Sequence, residues 1–363
     1  MSIKVLHVVG ARPNYMKTAP IMAEMARFPE QIEQILVHTG QHYDANMSDV
    51  FFEDLGLPTP THFLGVGSGS HAEQTARVMM AFEPTVKAYQ PDWVVVVGDV
   101  NSTIACALVC VKLGIRVAHV EAGLRAFDKT MPEEINRILT DQISDILFTP
   151  SRDGDQNLLR EGIIPQKICF VGNVMIDTLV QMLPKAEQRW EHLRASLDVD
   201  EFALVTLHRP SNVDDPMNLN ALLDGLATIS HKLPVIFPVH PRTKSRIEAM
   251  SGKKYSSKIR LIEPRGYIDF LSLQQHAKLV ITDSGGVQEE TTYLGVPCLT
   301  VRPNTERPIT LTQGTNRLVN PTTEALVFAA ESVLRSDPQL GHIPELWDGK
   351  TAQRIVSHLL NIS

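Results

Sequence analysis

The chain has 363 residues, 43% of them apolar and 21% charged, with 34 Lys and Arg against 41 Asp and Glu for a net charge of −7. This length suggests two or three domains. The apolar share excludes intrinsic disorder, and the acidic balance argues against a nucleic-acid partner, which draws on a basic excess.

No membrane partner is expected. The longest strongly apolar run, Trp93–Val97, falls far short of the ~18–20 residues that span a bilayer. The N-terminal run Val5–Val9 is too short for a secretory signal, and Arg12 follows it closely. Cys106, Cys110, Cys169 and Cys298 form no CxxC motif. Cys106 and Cys110 share a helix face without a second pair to complete a metal site, so they read as small buried hydrophobes. The expected compartment is the cytoplasm.

Short β-branched runs apolar on both faces predict buried parallel strands. They lie at Ile3–Val9, Gln34–Val37, Trp93–Val97, Arg116–Val120, Ile146–Phe148 and Ile168–Val171, with helical patterns between them. A second series follows at Phe202–Thr206, Val235–Val239, Ile259–Ile262, Leu279–Thr282 and Pro297–Val301. The alternation predicts an α/β chain of two Rossmann-like doubly wound domains facing a cleft. Residues 1–176 form the first domain, a polar helical linker covers 177–199, and residues 200–345 form the second. The amphipathic helix 352–360 has no strand partner and is assigned to the first domain.

Ligands of such sheets bind at strand C-termini, so the loops there carry the chemistry. Thr282-Asp283-Ser284-Gly285-Gly286-Val287-Gln288-Glu289-Glu290 runs from a strand through Ser-Gly-Gly into a helix. Open N–H groups at such a start suit a phosphate, with Glu289 and Glu290 read as first-turn acids; an ordinary N-cap with a glycine turn is the plainer alternative. Gly10-Ala11-Arg12-Pro13 with Lys17 is no GxGxxG motif, but it supplies two cations for a diphosphate. Gly349-Lys350-Thr351 lacks the first P-loop glycine, Pro344 standing in its place. Nicotinamide and NTPase readings weaken together.

Three loops bear carboxylates: Gly98-Asp99, His119-Val120-Glu121-Ala122-Gly123-Leu124-Arg125, and Pro132-Glu133-Glu134. Asp99 could instead cap a helix, and Thr130-x-x-Glu133 reads equally as a capping box with Pro132 near N1. His208-Arg209 and His240-Pro241-Arg242 close strands of the second domain and offer acid, base or phosphate contacts. These residues fit a nucleotide-sugar enzyme. They do not choose among glycosyl transfer, hydrolysis and epimerisation.

These motifs, with Thr39-Gly40-Gln41-His42, Pro238-Val239-His240-Pro241 and Thr305-Glu306-Arg307-Pro308, occur in one order. In this the chain resembles the non-hydrolysing UDP-N-acetylglucosamine 2-epimerases along almost its whole length. The resemblance implies a glycosyltransferase-B-like fold closing on a UDP-sugar, a homodimer, and a supply of ManNAc-type sugars for cell-surface polysaccharide. It implies elimination of UDP to 2-acetamidoglucal and re-addition with C2 inverted, needing neither NAD nor a metal. By resemblance Asp99, Glu121 and Glu133 transfer or position protons, while His208, Arg12 and Lys17 stabilise the diphosphate. Ser284, Gly285 and Gly286 hold phosphate, Glu290 binds ribose, Arg307 lies near the nucleotide, and Arg265 with Phe270 borders uracil. Gln41, Glu133 and His240 match positions where some bacterial members bind an activating UDP-GlcNAc.

The chain departs from the best-studied branch at His208-Arg209-Pro210-Ser211, where that branch has His-Arg-Arg-Glu, and at Arg265, where it has Gln. These features resemble a branch that also holds 2-epimerases for UDP-2,3-diacetamido-glucuronate. That substrate is the alternative within the family; a glycosyltransferase and a non-catalytic UDP-sugar sensor are the alternatives outside it.

Overall fold

The computed structural model describes residues 2–41, 54–239, 241–250, 259–335 and 341–362, with the side chains at 12, 241, 242 and 248–250 outside the description. These residues form two compact units, Met1–Thr178 with Glu345–Ser363, and Leu179–Pro344.

The described residues of the first unit form seven strands: β1 (Ile3–Val9), β2 (Ile32–His38), β3 (His62–Phe63), β4 (Trp93–Val97), β5 (Arg116–Val120), β6 (Ile146–Thr149) and β7 (Ile168–Phe170). They form one sheet in the order β3-β2-β1-β4-β5-β6-β7, and every described pairing is parallel. β4 is buried throughout, which its uninterrupted Trp-Val-Val-Val-Val run anticipates, because helices cover both faces of a parallel sheet. Its side chains alternate between two cores. Val94 and Val96 pack with Cys106 and Cys110, and Trp93, Val95 and Val97 pack with Ile355 and Val356 of the helix Thr351–Ile362.

That C-terminal helix belongs to the first unit. The Asp177 carboxylate caps it, accepting the Thr351 and Ala352 N–H groups at 3.1 and 2.7 Å. Burial raises the Asp177 pKa, against the lowering by these donors.

The second unit repeats the scheme with β8 (Ala203–Thr206), β9 (Val235–Pro238), β10 (Ile259–Ile262), β11 (Leu279–Thr282), β12 (Cys298–Val301) and β13 (Asn316–Val319). Its parallel order is β10-β9-β8-β11-β12-β13. β3 and β13 were not expected. β3 is two exposed residues, and β13 carries polar Asn316 and Arg317, so neither shows a buried-strand pattern. The helix Val174–Leu197 begins in the first unit and continues in the second. Its later turns are packed rather than free: Trp190, Leu193 and Leu197 join the core around Phe202 and Leu204.

Candidate active site

In each sheet the strand order reverses once, between β1 and β4 and between β8 and β11. Ligands of open parallel sheets bind outside the strand C-termini at this point.

In the first unit Asn14 ties the loops after β1 and β4 together. Its Oδ1 accepts the Gly10 and Ala11 N–H groups at 3.2 and 3.0 Å, and its Nδ2 donates to the Val97 carbonyl at 3.1 Å. Lys17, on the helix Arg12–Met25, forms a buried ion pair with Glu121. Gly98 makes this pair possible. It adopts φ +66°, and a Cβ there would lie 2.9 Å from Lys17 Nζ and 3.4 Å from Glu121 Oε2.

The side chain of Asp99 is held by Arg137, whose Nη1 also donates to Glu134 at 2.7 Å. Glu134 is buried and accepts the Ala126 and Phe127 N–H groups at 3.0 and 2.8 Å. Asn136 Nδ2 donates to the Asp99 carbonyl at 2.9 Å. Asp99 therefore caps no helix; Val100 occupies the cap of Asn101–Lys112. The capping box at Thr130 is also absent. Met131 is the cap residue of Pro132–Ile143, no side chain bonds there, and the Thr130 hydroxyl donates to Asp128 at 2.6 Å instead. Glu133 is half-buried, and among the described residues no hydrogen bond or ion pair holds its side chain.

Gln41 is buried, its Oε1 accepting the Ser102 N–H and hydroxyl at 3.0 and 2.7 Å. His240, His42 and the side chain of Arg12 lie outside the described residues.

In the second unit Ser284 caps the helix Gly285–Leu294 without a side-chain bond. Ser284, Gly285 and Gly286 are half-buried, and the first-turn N–H groups of a helix have no intrahelical acceptor. Glu289 and Glu290 were expected in that first turn. They fall one turn later, because the helix already begins at Gly285 and its first turn carries no acid. The helix itself thus places no acid in its first turn; the carboxylate beside that turn, Glu306, is paired with Arg307 and Arg302. Glu290 is buried and accepts the Tyr267 hydroxyl at 2.9 Å. Arg307 sits between Glu289, 2.9 Å from its Nε, and Glu306. Arg302 donates to the other Glu306 oxygen at 2.8 Å. Arg265 and Phe270 flank the turn after β10, both half-buried, and Phe270 packs against the core around Phe202.

His208 is oriented by a residue that sequence reasoning did not single out. Asp283, fully buried, lies 2.7 Å from His208 Nδ1, whose side chain is 59% exposed. Asp283 also accepts the His208 and Arg209 N–H groups at 3.0 and 2.9 Å, and Asn212 Nδ2 at 3.0 Å. Burial pulls its pKa up, but the His208 hydrogen bond and charge and the other donors outweigh it, leaving it below the ordinary Asp value. A carboxylate on Nδ1 fixes the ring and leaves Nε2 for a ligand. No local sequence pattern marks this contact: it follows from the pairing of β11 with β8 through Thr282 and Thr206, one residue before Asp283 and two before His208.

Among the described residues no group of three or more His, Cys, Asp or Glu is arranged to hold a metal ion, and no helix is long and apolar enough to cross a membrane.

A family model for UDP-N-acetylglucosamine 2-epimerase matches residues 24–360. The UDP-N-acetylglucosamine 2-epimerase of Methanocaldococcus jannaschii is 44% identical over 363 residues, covering 98% of each chain. The UDP-2,3-diacetamido-2,3-dideoxy-D-glucuronate 2-epimerase of Pseudomonas aeruginosa is 40% identical over 367 residues, covering 99% of this chain and 100% of its own. The crystal structure of the M. jannaschii UDP-GlcNAc 2-epimerase in complex with UDP-GlcNAc and UDP matches with a TM-score of 0.90 at 44% identity, over 99% of this chain and 100% of that one. Alike in sequence and fold along nearly its full length, the chain belongs to the UDP-N-acetylglucosamine 2-epimerase family.

Proposed function

We propose that this chain interconverts UDP-N-acetylglucosamine and UDP-N-acetylmannosamine by inverting C2. The observation that carries the reading is the placement of Asp99 and Glu121 just beyond adjacent strands β4 and β5, each held by a cation. The C2 proton is not acidified by a neighbouring carbonyl, so elimination is the route these groups suit. A carboxylate takes the C2 proton, the C1–O bond breaks, and its electron pair leaves with the UDP phosphate. The C1=C2 bond of 2-acetamidoglucal forms. Re-addition returns a proton to the opposite face of C2 while the phosphate oxygen attacks C1.

Asp99, Glu121 and Glu133 are assigned to the sugar. His208, oriented by Asp283, the Ser284–Gly286 helix start and Arg12 with Lys17 are assigned to the departing diphosphate, where negative charge develops. Arg307, Glu290, Arg265 and Phe270 are assigned to the nucleoside, and Gln41 and His240 to an activating ligand. The elimination route moves protons and a leaving group without net redox change, so it calls for no nicotinamide. Asp99→Asn should lower turnover by roughly 10²–10⁴-fold and leave UDP affinity unchanged; full turnover would remove Asp99 from the mechanism.

The 40% identical diacetamido-glucuronate relative supports a second substrate. Against it, Arg137 and Arg125 are each already paired with carboxylates, which leaves them poorly placed to receive a sugar carboxylate. Parallel assays with both UDP-sugars decide the matter, with faster turnover of UDP-GlcNAc expected. We further propose a cytoplasmic homodimer. The free cysteines, three of them buried, fit a reducing compartment. Light scattering should return twice the chain mass of 40.3 kDa.

A further inference from the structure

His119, on β5, is fully buried between two acceptors. Its Nε2 lies 2.8 Å from the Gly98 carbonyl oxygen and its Nδ1 lies 2.7 Å from Asp141 Oδ1. A carbonyl oxygen can only accept, so Nε2–H donates to Gly98. Asp141, equally buried, uses Oδ2 to accept the Gly123 N–H at 3.1 Å, and that oxygen is 2.7 Å from the Arg125 guanidinium. Arg125 is itself held by two hydrogen bonds to Glu161 at 2.7 and 2.6 Å.

One buried pair therefore grips two loops. Gly98 immediately precedes Asp99, and Gly123 stands two residues beyond Glu121. The second loop carries backbone that needs holding. Glu121 has φ +71°, and a non-glycine residue in the left-handed region is strained unless its surroundings over-determine it.

We propose that His119 and Asp141 are positioning residues for the reaction, fixing the loop that bears Asp99 against the loop that bears Glu121. The proposal rests on the assignment of those two acids to the sugar. A pair that merely filled the core would affect stability without acting selectively on these loops.

The test uses the full chain with His119→Gln and Asp141→Asn. It measures kcat and KM for UDP-GlcNAc, the Kd for UDP, the melting temperature and backbone hydrogen exchange. For His119→Gln, kcat should fall on the order of 100-fold, the cost of about 1 Å of misplacement, with KM within about threefold and UDP binding unchanged. Asp141→Asn keeps the shape and an acceptor for Gly123, and should lose less. Exchange should quicken around 98–101 and 121–125 while 279–290 stays as in the parent. Parental kcat with parental exchange would overturn the proposal, as would loosening spread evenly over the first unit. Should the parent turn over no UDP-sugar, the reaction assignment fails. The exchange comparison then decides alone: selective loosening of the two loops upholds the pair, and its absence overturns it. Should His119→Gln not fold, Asp141→Asn is judged by the same criteria.

Discussion

Lys17 Nζ meets Glu121 Oε2 in an ion pair whose side chains are only 7% and 6% exposed. Two charges at this depth are tolerable together and costly apart. Removing one partner of a buried pair leaves an unpaired charge, at about 3–5 kcal/mol. Lys17→Met should lower the stability of the first unit by that order, and Lys17→Met with Glu121→Gln should recover most of it. Urea unfolding followed separately for the two units reads this directly. A single variant as stable as the parent would show that the pair is not held as described.

Gly285 makes room for Arg307. A Cβ at 285 would stand 2.8 Å from Arg307 Cζ and 2.9 Å from Glu306 Oε1. Arg307 cannot simply swing away, because Glu289 and Glu306 hold it. Gly285→Ala should therefore weaken UDP binding by about tenfold, roughly 1.4 kcal/mol, and also lower the melting temperature, because overpacking against held side chains costs about 1–3 kcal/mol. Calorimetric titration with UDP measures it, and parental affinity would show that neither Arg307 nor the helix start contacts the nucleotide.

Much of this geometry was readable in the sequence, and the unreadable parts have physical causes. β4 and β11 announce themselves because both faces are buried, so apolar residues run without interruption. The loops at their ends could then be picked out as chemistry-bearing. β13 escaped notice because Asn316 sits in it, buried by hydrogen bonds rather than by apolarity: its amide donates to Gln288 and Thr310 at 3.1 Å each. Glu289 and Glu290 were placed a turn early because Ser-Gly-Gly reads as a loop, yet Gly285 and Gly286 are already helical. Arg137, Asp283 and Asp141 were missed as partners because pairing over 38, 75 and 22 residues of chain is set by strand order, which no local pattern encodes.

Acid should weaken the first unit through two histidines. Burial lowers the pKa of His7 from 6.5 to about 4, against a smaller opposing pull from Gln34, and burial likewise lowers His38 to about 4. The unfolded chain therefore binds more protons than the folded one between these values. The stability owed to the neutral rings is complete above about pH 6.5 and is lost as pH falls towards 4. His7→Leu should make the unfolding midpoint of the first unit fall less steeply across that window. An unchanged slope would show that His7 is not held neutral.

In the proposed reaction UDP leaves and returns while C2 loses and regains a proton. Proton NMR of the chain with UDP-GlcNAc in D2O follows both events at once. A new UDP-ManNAc anomeric signal, with deuterium entering C2 of both sugars as equilibrium is approached, is the predicted result. Epimerisation with the original hydrogen retained at C2, or release of free ManNAc, would contradict elimination and re-addition of UDP.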